Sequence, residues 1–353
     1  TTTGAGVQDG DIVVDAAITR STTTGRATLS LTADRNITIN QAINIAGSGS
    51  LLQLTAGGSS GAAVGFGAPV TVDTLVVNAS GTGAINQGAT AGAAALTVTN
   101  LGLNAPLAAV DLETNTGFGG TITNSLGTVA GNVASLDLLA GTGVSVANAS
   151  HGTGVYVGTV SNLSGLTATG ALNLRVTDTN LYVNSNVAAG GNLVLNAGSV
   201  SGSALAASAA NLIVSDTASI STGGQGLLYT GAVAQGSTNL LRLVPAGSGR
   251  FRYNSNEGSL GYSAALESTG LHVIYREQPT LTASLAAQTE TYGSVGSRAY
   301  SISGLQNGDT QAQAYTSNPT VTVSSALYSN SSNLRAGTYT LTASSGSSGL
   351  GYA

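Results

Sequence analysis

Residues 29–56 read LSLTADRNITINQAINIAGSGSLLQLTA, a stretch that opens and closes on one phrase. Leu29-Ser30-Leu31-Thr32-Ala33 returns as Leu52-Gln53-Leu54-Thr55-Ala56 and as Leu75-Val76-Val77-Asn78-Ala79, 23 residues further on each time. Leu96-Thr97-Val98-Thr99-Asn100 follows 21 residues later. Looser copies are Val110-Asp111-Leu112, Leu136-Asp137-Leu138, Leu172-Asn173-Leu174, Leu193-Val194-Leu195 and Leu212-Ile213-Val214. The wandering steps read as loops inserted into a repeating unit. Between the copies lie short runs of period 2, such as Ile37-Thr38-Ile39, Val70-Thr71-Val72 and Leu181-Tyr182-Val183. Period 2 puts the aliphatics on one face of a strand and the polar residue on the other.

No stretch sustains a helical period with caps, so helices are expected to be almost absent. Short strands, a period near 20 and Gly, Ser and Asn turns predict an all-β, right-handed parallel β-helix (a β-solenoid). Inward aliphatics form ladders, and corner Asn and Thr satisfy turn backbone groups. An up-and-down barrel would need longer strands. About 270 residues at ~21 per turn predict on the order of 13 turns and a rod of roughly 60 Å.

Composition supports this and excludes much else. Of 353 residues 50 are Gly, charged residues make up 7%, and Cys, Met and Trp do not occur. All ten basic residues are Arg. Without Cys there is no disulfide framework, zinc finger, iron–sulfur ligation or thiol nucleophile. Without Lys there is no Schiff base or P-loop. A formal charge of −5 argues against nucleic-acid binding. No 18-residue apolar run predicts membrane insertion. Scarce charge suits a stack, where inward charges are buried and like charges at one repeat position sit ~5 Å apart. Since Met does not occur, Thr1 reads as an internal start, and the chain as a piece of a longer protein.

The last third differs. Ten of the twelve Tyr lie from Tyr229 onward. Residues 271–279, ending in Pro279, read as a last strand and a linker. Residues 281–283, 300–302, 321–323 and 339–341 then read as strands of a small β-rich module, truncated at its end. The predicted division is a shaft over 1–276 and a module over 277–353.

The text LTADRNITINQAINIAGSGSLLQLTAG, residues 31–57, resembles the shaft repeats of filamentous-haemagglutinin-like exoproteins of bacterial two-partner secretion. GLHVIYREQPTLT, residues 270–282, is similar to the exit from such a shaft. Tyr292-Gly293, Tyr300-Ser301-Ile302-Ser303-Gly304-Leu305, Asn307-Gly308-Asp309-Thr310 and Ala336-Gly337-Thr338-Tyr339 resemble the MBG/YDG-type module of these proteins. The resemblance implies a secreted bacterial surface adhesin, extracellular or on the cell surface, acting in attachment, aggregation or biofilm matrix. It implies export through an outer-membrane partner transporter, no fixed catalytic motif, and a module that is Ig-like or β-grasp-like. A chain crossing the periplasm unfolded would be trapped there by disulfides, which fits the lack of Cys. The alternatives are a protein binding glycan or exopolysaccharide in the matrix, and a self-assembling extracellular fibre with homotypic contacts.

Chemistry is sparse. Asp34, Asp73, Asp111, Asp137, Asp178 and Asp216 fall near different repeats. Asp9-Gly10-Asp11 and Asp111-Leu112-Glu113 are the close carboxylate pairs, read as turns or solvated edges rather than a glycosidase pair. A polysaccharide-cleaving site would need such groups gathered on one face. His151 reads as a loop residue and His272 as a strand residue, neither placed for triad or metal chemistry. Gly223-Gly224-Gln225-Gly226 lacks the helix of a phosphate loop, and no calcium loop occurs. No catalytic residues, metal or cofactor are assigned, and the chain is not read as an enzyme. The ligand candidate, for a glycan, is Arg250-Phe251-Arg252-Tyr253-Asn254 with Glu257 and Tyr262 nearby, where aromatic faces with Arg and Asn can hold sugar rings. The competing structural reading has Phe251 and Tyr253 packing the last turn while both Arg face solvent.

Overall fold

The computed structural model describes residues 10–88, 94–113, 123–141, 154–177, 179–198, 209–234, 237–293 and 298–353. Its body is a parallel β-helix with three strand faces. The first face stacks Ile12–Val14, Ile37–Ile39, Ala62–Phe66, Ala84–Gln87, residues 110–112 and residues 136–140. It continues through Leu172–Val176, Leu193–Ala197, Gln225–Thr230, Gly270–Tyr275 and Phe251–Arg252. The second face runs from Ile18–Arg20 through Ile43–Ile45, residues 70–72 and 96–98 towards Gly154–Val157, Asn180–Val183 and Leu212–Val214. The third runs from Thr28–Ala33 through Leu51–Ala56 and residues 74–79 to Leu166–Ala168, Val187–Ala189 and Ile220–Thr222. The strands Leu96–Leu112 and Asn124–Gly141 bend around corners and serve more than one face.

The repeated phrase is one ladder of the third face. Leu29, Leu52 and Leu75 stack in register, as do Leu31, Leu54 and Val77, and Ala33, Ala56 and Ala79. Their side chains point inward, where β-branched and γ-branched aliphatics of neighbouring turns interdigitate at the ~4.8 Å strand spacing. Leu96-Thr97-Val98 belongs elsewhere: it stacks on Val70-Thr71-Val72, while Leu101 and Leu103 continue the columns of Leu75 and Val77. Aliphatic-x-aliphatic serves all three faces, so the phrase alone does not assign one.

The count of turns also differs from expectation. Among the described residues the first face holds eleven strands, the ones named above, which gives a stack roughly 50 Å long rather than 13 turns. Register steps along it range from 21 residues, Leu172 to Leu193, to 45, Gly226 to Leu271. Longer corners consume chain without lengthening the rod. Other corners are tight. A Cβ on Gly190 would lie 2.1 Å from the Thr169 carbonyl oxygen, and one on Gly223 2.1 Å from that of Gly190. Only glycine lets successive turns approach there.

The core contains a polar plug. The buried Asn124 accepts from Leu96 N–H at 2.9 Å and donates to the carbonyls of Leu112 and Leu139 at 2.6 and 3.2 Å. Gln87 donates to its Oδ1 at 2.7 Å. These amides satisfy backbone groups that would otherwise be orphaned inside the apolar stack.

The C-terminal end of the helix is covered. The helix Ser237–Leu243 lies where the next strand of the second face would pair, and Asn239 donates to the Val214 carbonyl at 2.7 Å. Beyond residue 280 the strands are antiparallel pairs: Thr282–Leu285 with Tyr300–Ser303, Val321–Ser324 with Thr340–Ala343, and Tyr315–Ser317 with Ser347–Ser348. Ala314, Leu350 and Tyr352 join the same apolar cluster as Phe251, Tyr253 and Tyr275.

Three substitutions test this account by urea unfolding. Leu54→Ala should cost about 2–5 kcal/mol, as a buried ladder position, whereas Thr38→Ala on the outer side should stay within about 0.5 kcal/mol. Asn124→Leu, although more apolar, should destabilise by about 1–3 kcal/mol for each backbone group it leaves unpaired. An unchanged midpoint for Asn124→Leu would refute the plug.

Candidate functional site

The segment singled out as a glycan site is mostly interior. Phe251 and Tyr253 are fully buried and Arg252 is 4% exposed. The Arg252 guanidinium donates to the carbonyls of Gly249, Phe251, Ala264 and Ala265 at 2.7–3.0 Å, and lies 5.5 Å from the centre of the Tyr262 ring. Burial lowers its pKa. The expectation that both arginines face solvent is therefore corrected: Arg252 is a bracket for its own loop, and Arg250 is paired with Glu267. Asn254 remains exposed, in a left-handed conformation with φ of 54°. Tyr262 is half-buried.

Tyr253 anchors the joint to the C-terminal strands. Its ring stacks on Tyr275 at 5.5 Å and meets Tyr352 at 4.5 Å. Both Tyr253 and Tyr352 donate to one carboxylate oxygen of the buried Asp309 at 2.8 Å, and Asn307 donates to the Tyr253 hydroxyl at 3.0 Å. Burial raises the Asp309 pKa, against the two phenol donors, which lower it. Asn307-Gly308-Asp309 forms a turn whose carboxylate is turned inward to the shaft end.

The charged constellation lies on the outer side of the first face. Val110-Asp111-Leu112, Leu136-Asp137-Leu138 and Leu172-Asn173-Leu174 stack in register, which places Asp111, Asp137 and Asn173 in one outward column. In the next column Arg175 stacks on Leu139 and Asn196 on Arg175. Arg175 Nη1 donates to Glu113 and Asp137, both at 2.8 Å. Its other edge donates to Glu257 from Nε at 2.8 and 3.0 Å and pairs with it through Nη2 at 2.7 Å. Asn196 Nδ2 donates to Glu257 Oε2 at 2.8 Å.

Three carboxylates thus share one guanidinium. Burial first, and then Asp137 beside it, raise the Glu113 pKa to about 7. Burial lowers the Arg175 pKa, but its carboxylates, Glu257 foremost, raise it by more, so it stays charged. Tyr229, stacked on Asn196, is buried, and its phenol is raised by burial and then by Glu257. Of the aspartates that fall near different repeats, Asp111 and Asp137 are adjacent in space.

Glu257 reaches this site from the connection between Phe251–Arg252 and Gly270–Tyr275, which returns along the outer side of the face. The carbonyl of Glu267 on the same connection accepts from Gln225 at 2.7 Å. His272, on the outward side of its strand, is 1% exposed with both ring nitrogens unpartnered. Burial, then Arg250 and Arg252, lower its pKa and keep it neutral.

The other sequence candidates are structural where described. Asp11 is held below its ordinary carboxylate range, chiefly by Arg35 at 2.7 Å. Gly223 and Gly224 form a corner, and Gln225 and Gly226 begin a strand. Asp9, His151 and Asp178 lie outside the described residues. Among the described residues no group of three or more His, Asp or Glu is placed to hold a metal ion. Sequence offered one signal of the charged site, the aspartate in the middle of two successive aliphatic triplets. Sequence places Glu257 beside the Arg250 to Asn254 candidate, but nothing local announces its pairing with Arg175, 82 residues away.

Since the raised Glu113 binds its proton more tightly in the fold, its contribution is complete below about pH 4.5 and is lost as pH rises through about 7. Wild type should therefore lose about 1 kcal/mol relative to Glu113→Gln between pH 5 and pH 8, after allowance for solvent screening. Parallel pH profiles for the two would contradict the assignment. No protein-family model matches the chain, and neither a curated protein nor a solved structure was found to be similar to it.

Proposed function

We propose that the chain is a shaft segment of a secreted bacterial surface adhesin, with residues 1–276 as the rod and 277–353 as an MBG-like module set on its end. The observation that carries this reading is the unbroken first face, a register of inward side chains that runs from Val14 at one end to Phe251 at the other. A continuous hydrogen-bonded stack resists bending, and its function is to span distance and to present what it carries. Its scarce charge and lack of Cys support export as an unfolded chain through an outer-membrane partner, followed by folding at the cell surface. Contacts with exopolysaccharide or with a neighbouring cell would be made by the displayed rod and module.

Export gives the first test. Residues 1–353, joined to a two-partner secretion signal and expressed with its transporter, should reach the cell surface. Thr55→Cys with Asn78→Cys, neighbours on one ladder, should instead hold the chain in an oxidising periplasm until a reductant is added. Equal export of both forms would contradict unfolded passage. Cells displaying the cysteine-free chain should aggregate or attach to surfaces more than cells displaying the transporter alone, and no difference would overturn the adhesive role.

A further inference from the structure

The Glu257 carboxylate sits in a receptor that is not part of its own strand or turn. The Nε and Nη2 edge of Arg175 lies against Glu257 Oε1 at 2.8 and 2.7 Å, Nε also reaches Oε2 at 3.0 Å, and Asn196 Nδ2 donates to Oε2 at 2.8 Å. Side-on guanidinium with a neighbouring amide is a recurrent way to bind a carboxylate. Asn196 adds an independent observation. The residue is 1% exposed, and its Oδ1 has no hydrogen-bond partner. The amide cannot turn over to relieve this, because Oδ1 would then face the Glu257 carboxylate. A buried acceptor without a donor is costly, so its retention beside an occupied carboxylate seat calls for a donor that the chain itself does not supply.

We propose that Arg175 and Asn196 form a binding site for a carboxylate that carries an adjacent hydroxyl, as in the uronic acid units of an acidic polysaccharide, and that Glu257 occupies this site in the free protein. The ligand carboxylate takes the Arg175 edge and Asn196 Nδ2 in place of Glu257. The neighbouring hydroxyl donates to Asn196 Oδ1, and Tyr229 lies beside the seat. An acidic peptide side chain would fill the seat but brings no hydroxyl next to its carboxylate. Glu113 and Asp137 oppose an anion, and the opposition eases as Glu113 takes up its proton. Glu257 thus acts as a built-in competitor, and its displacement frees the connection that carries it. The inference does not rest on the adhesive role, since a rod without this affinity would still be a rod.

The test is titration calorimetry with trigalacturonate at pH 5.5 and pH 8, with cellotriose and a short poly-glutamate as controls. Glu257→Ala should bind trigalacturonate at least roughly ten-fold more tightly than wild type, more strongly at pH 5.5, and Glu257→Ala with Asn196→Ala should lose most of the gain. A folded Glu257→Ala protein with no gain, or an equal gain for cellotriose or poly-glutamate, would overturn the proposal. If Glu257→Ala does not fold, wild type decides. Saturating trigalacturonate should speed hydrogen exchange in residues 254–262, and unchanged exchange there would overturn it equally.

Discussion

Apart from the small hairpin of Thr159–Val160 with Leu163–Ser164, the described strands of this shaft find their hydrogen-bond partners on neighbouring turns and not within their own. That one constraint organises the rest. It demands that successive turns present compatible side chains at the same register position, so aliphatics fall on aliphatics inward, and Thr32, Thr55 and Asn78 fall on one another outward. It also makes each end a liability, because a last turn offers unpaired backbone and bare core. The C-terminal solution is elaborate. A short helix takes the place of a strand, Arg252 and Arg276 satisfy loop carbonyls, and three tyrosines close the core around Asp309.

The same constraint explains how charge is used. Stacked like charges repel at strand spacing, and the chain largely avoids them. Where Asp111 and Asp137 do stack, the fold supplies Arg175 in the adjoining column and adds Glu113 and Glu257 to it. Arg276, by contrast, is half-buried against the carbonyls of Ala197, Ala209 and Ala210, and burial lowers its pKa to about 10. Guanidinium, with its several donors in one plane, can saturate carbonyls or carboxylates as needed. That versatility is a physical use for arginine in a chain that has no lysine.

The parallel stack, the near absence of helix and the ladder of Leu29, Leu52 and Leu75 were legible in the sequence because each depends on local period and equal spacing. The face of Leu96 and the number of turns were not, since aliphatic triplets look alike on every face and corner lengths vary freely. Arg252 was misjudged because alternation places a side chain on the outer side of a strand but does not reveal a loop that covers that side. The charged site was half legible. Its aspartates repeat with the triplets, but Glu257 comes from a distant connection whose path no period encodes.

The order of the last strands carries a consequence for time. Gly270–Tyr275 pairs with Gln225–Thr230 on one side and with Phe251–Arg252 on the other, although Phe251 and Arg252 precede it in the chain. A chain that emerges from its amino end can zip turn upon turn until residue 230. It must then leave residues 251–252 idle until a segment emerging later slides in beneath them. Sealing awaits residues 350–352 as well, because Tyr253 N–H bonds to the Leu350 carbonyl. Assembly is progressive along the rod and becomes all-or-none at its tip, so the tip is where a stalled or shortened chain would betray itself.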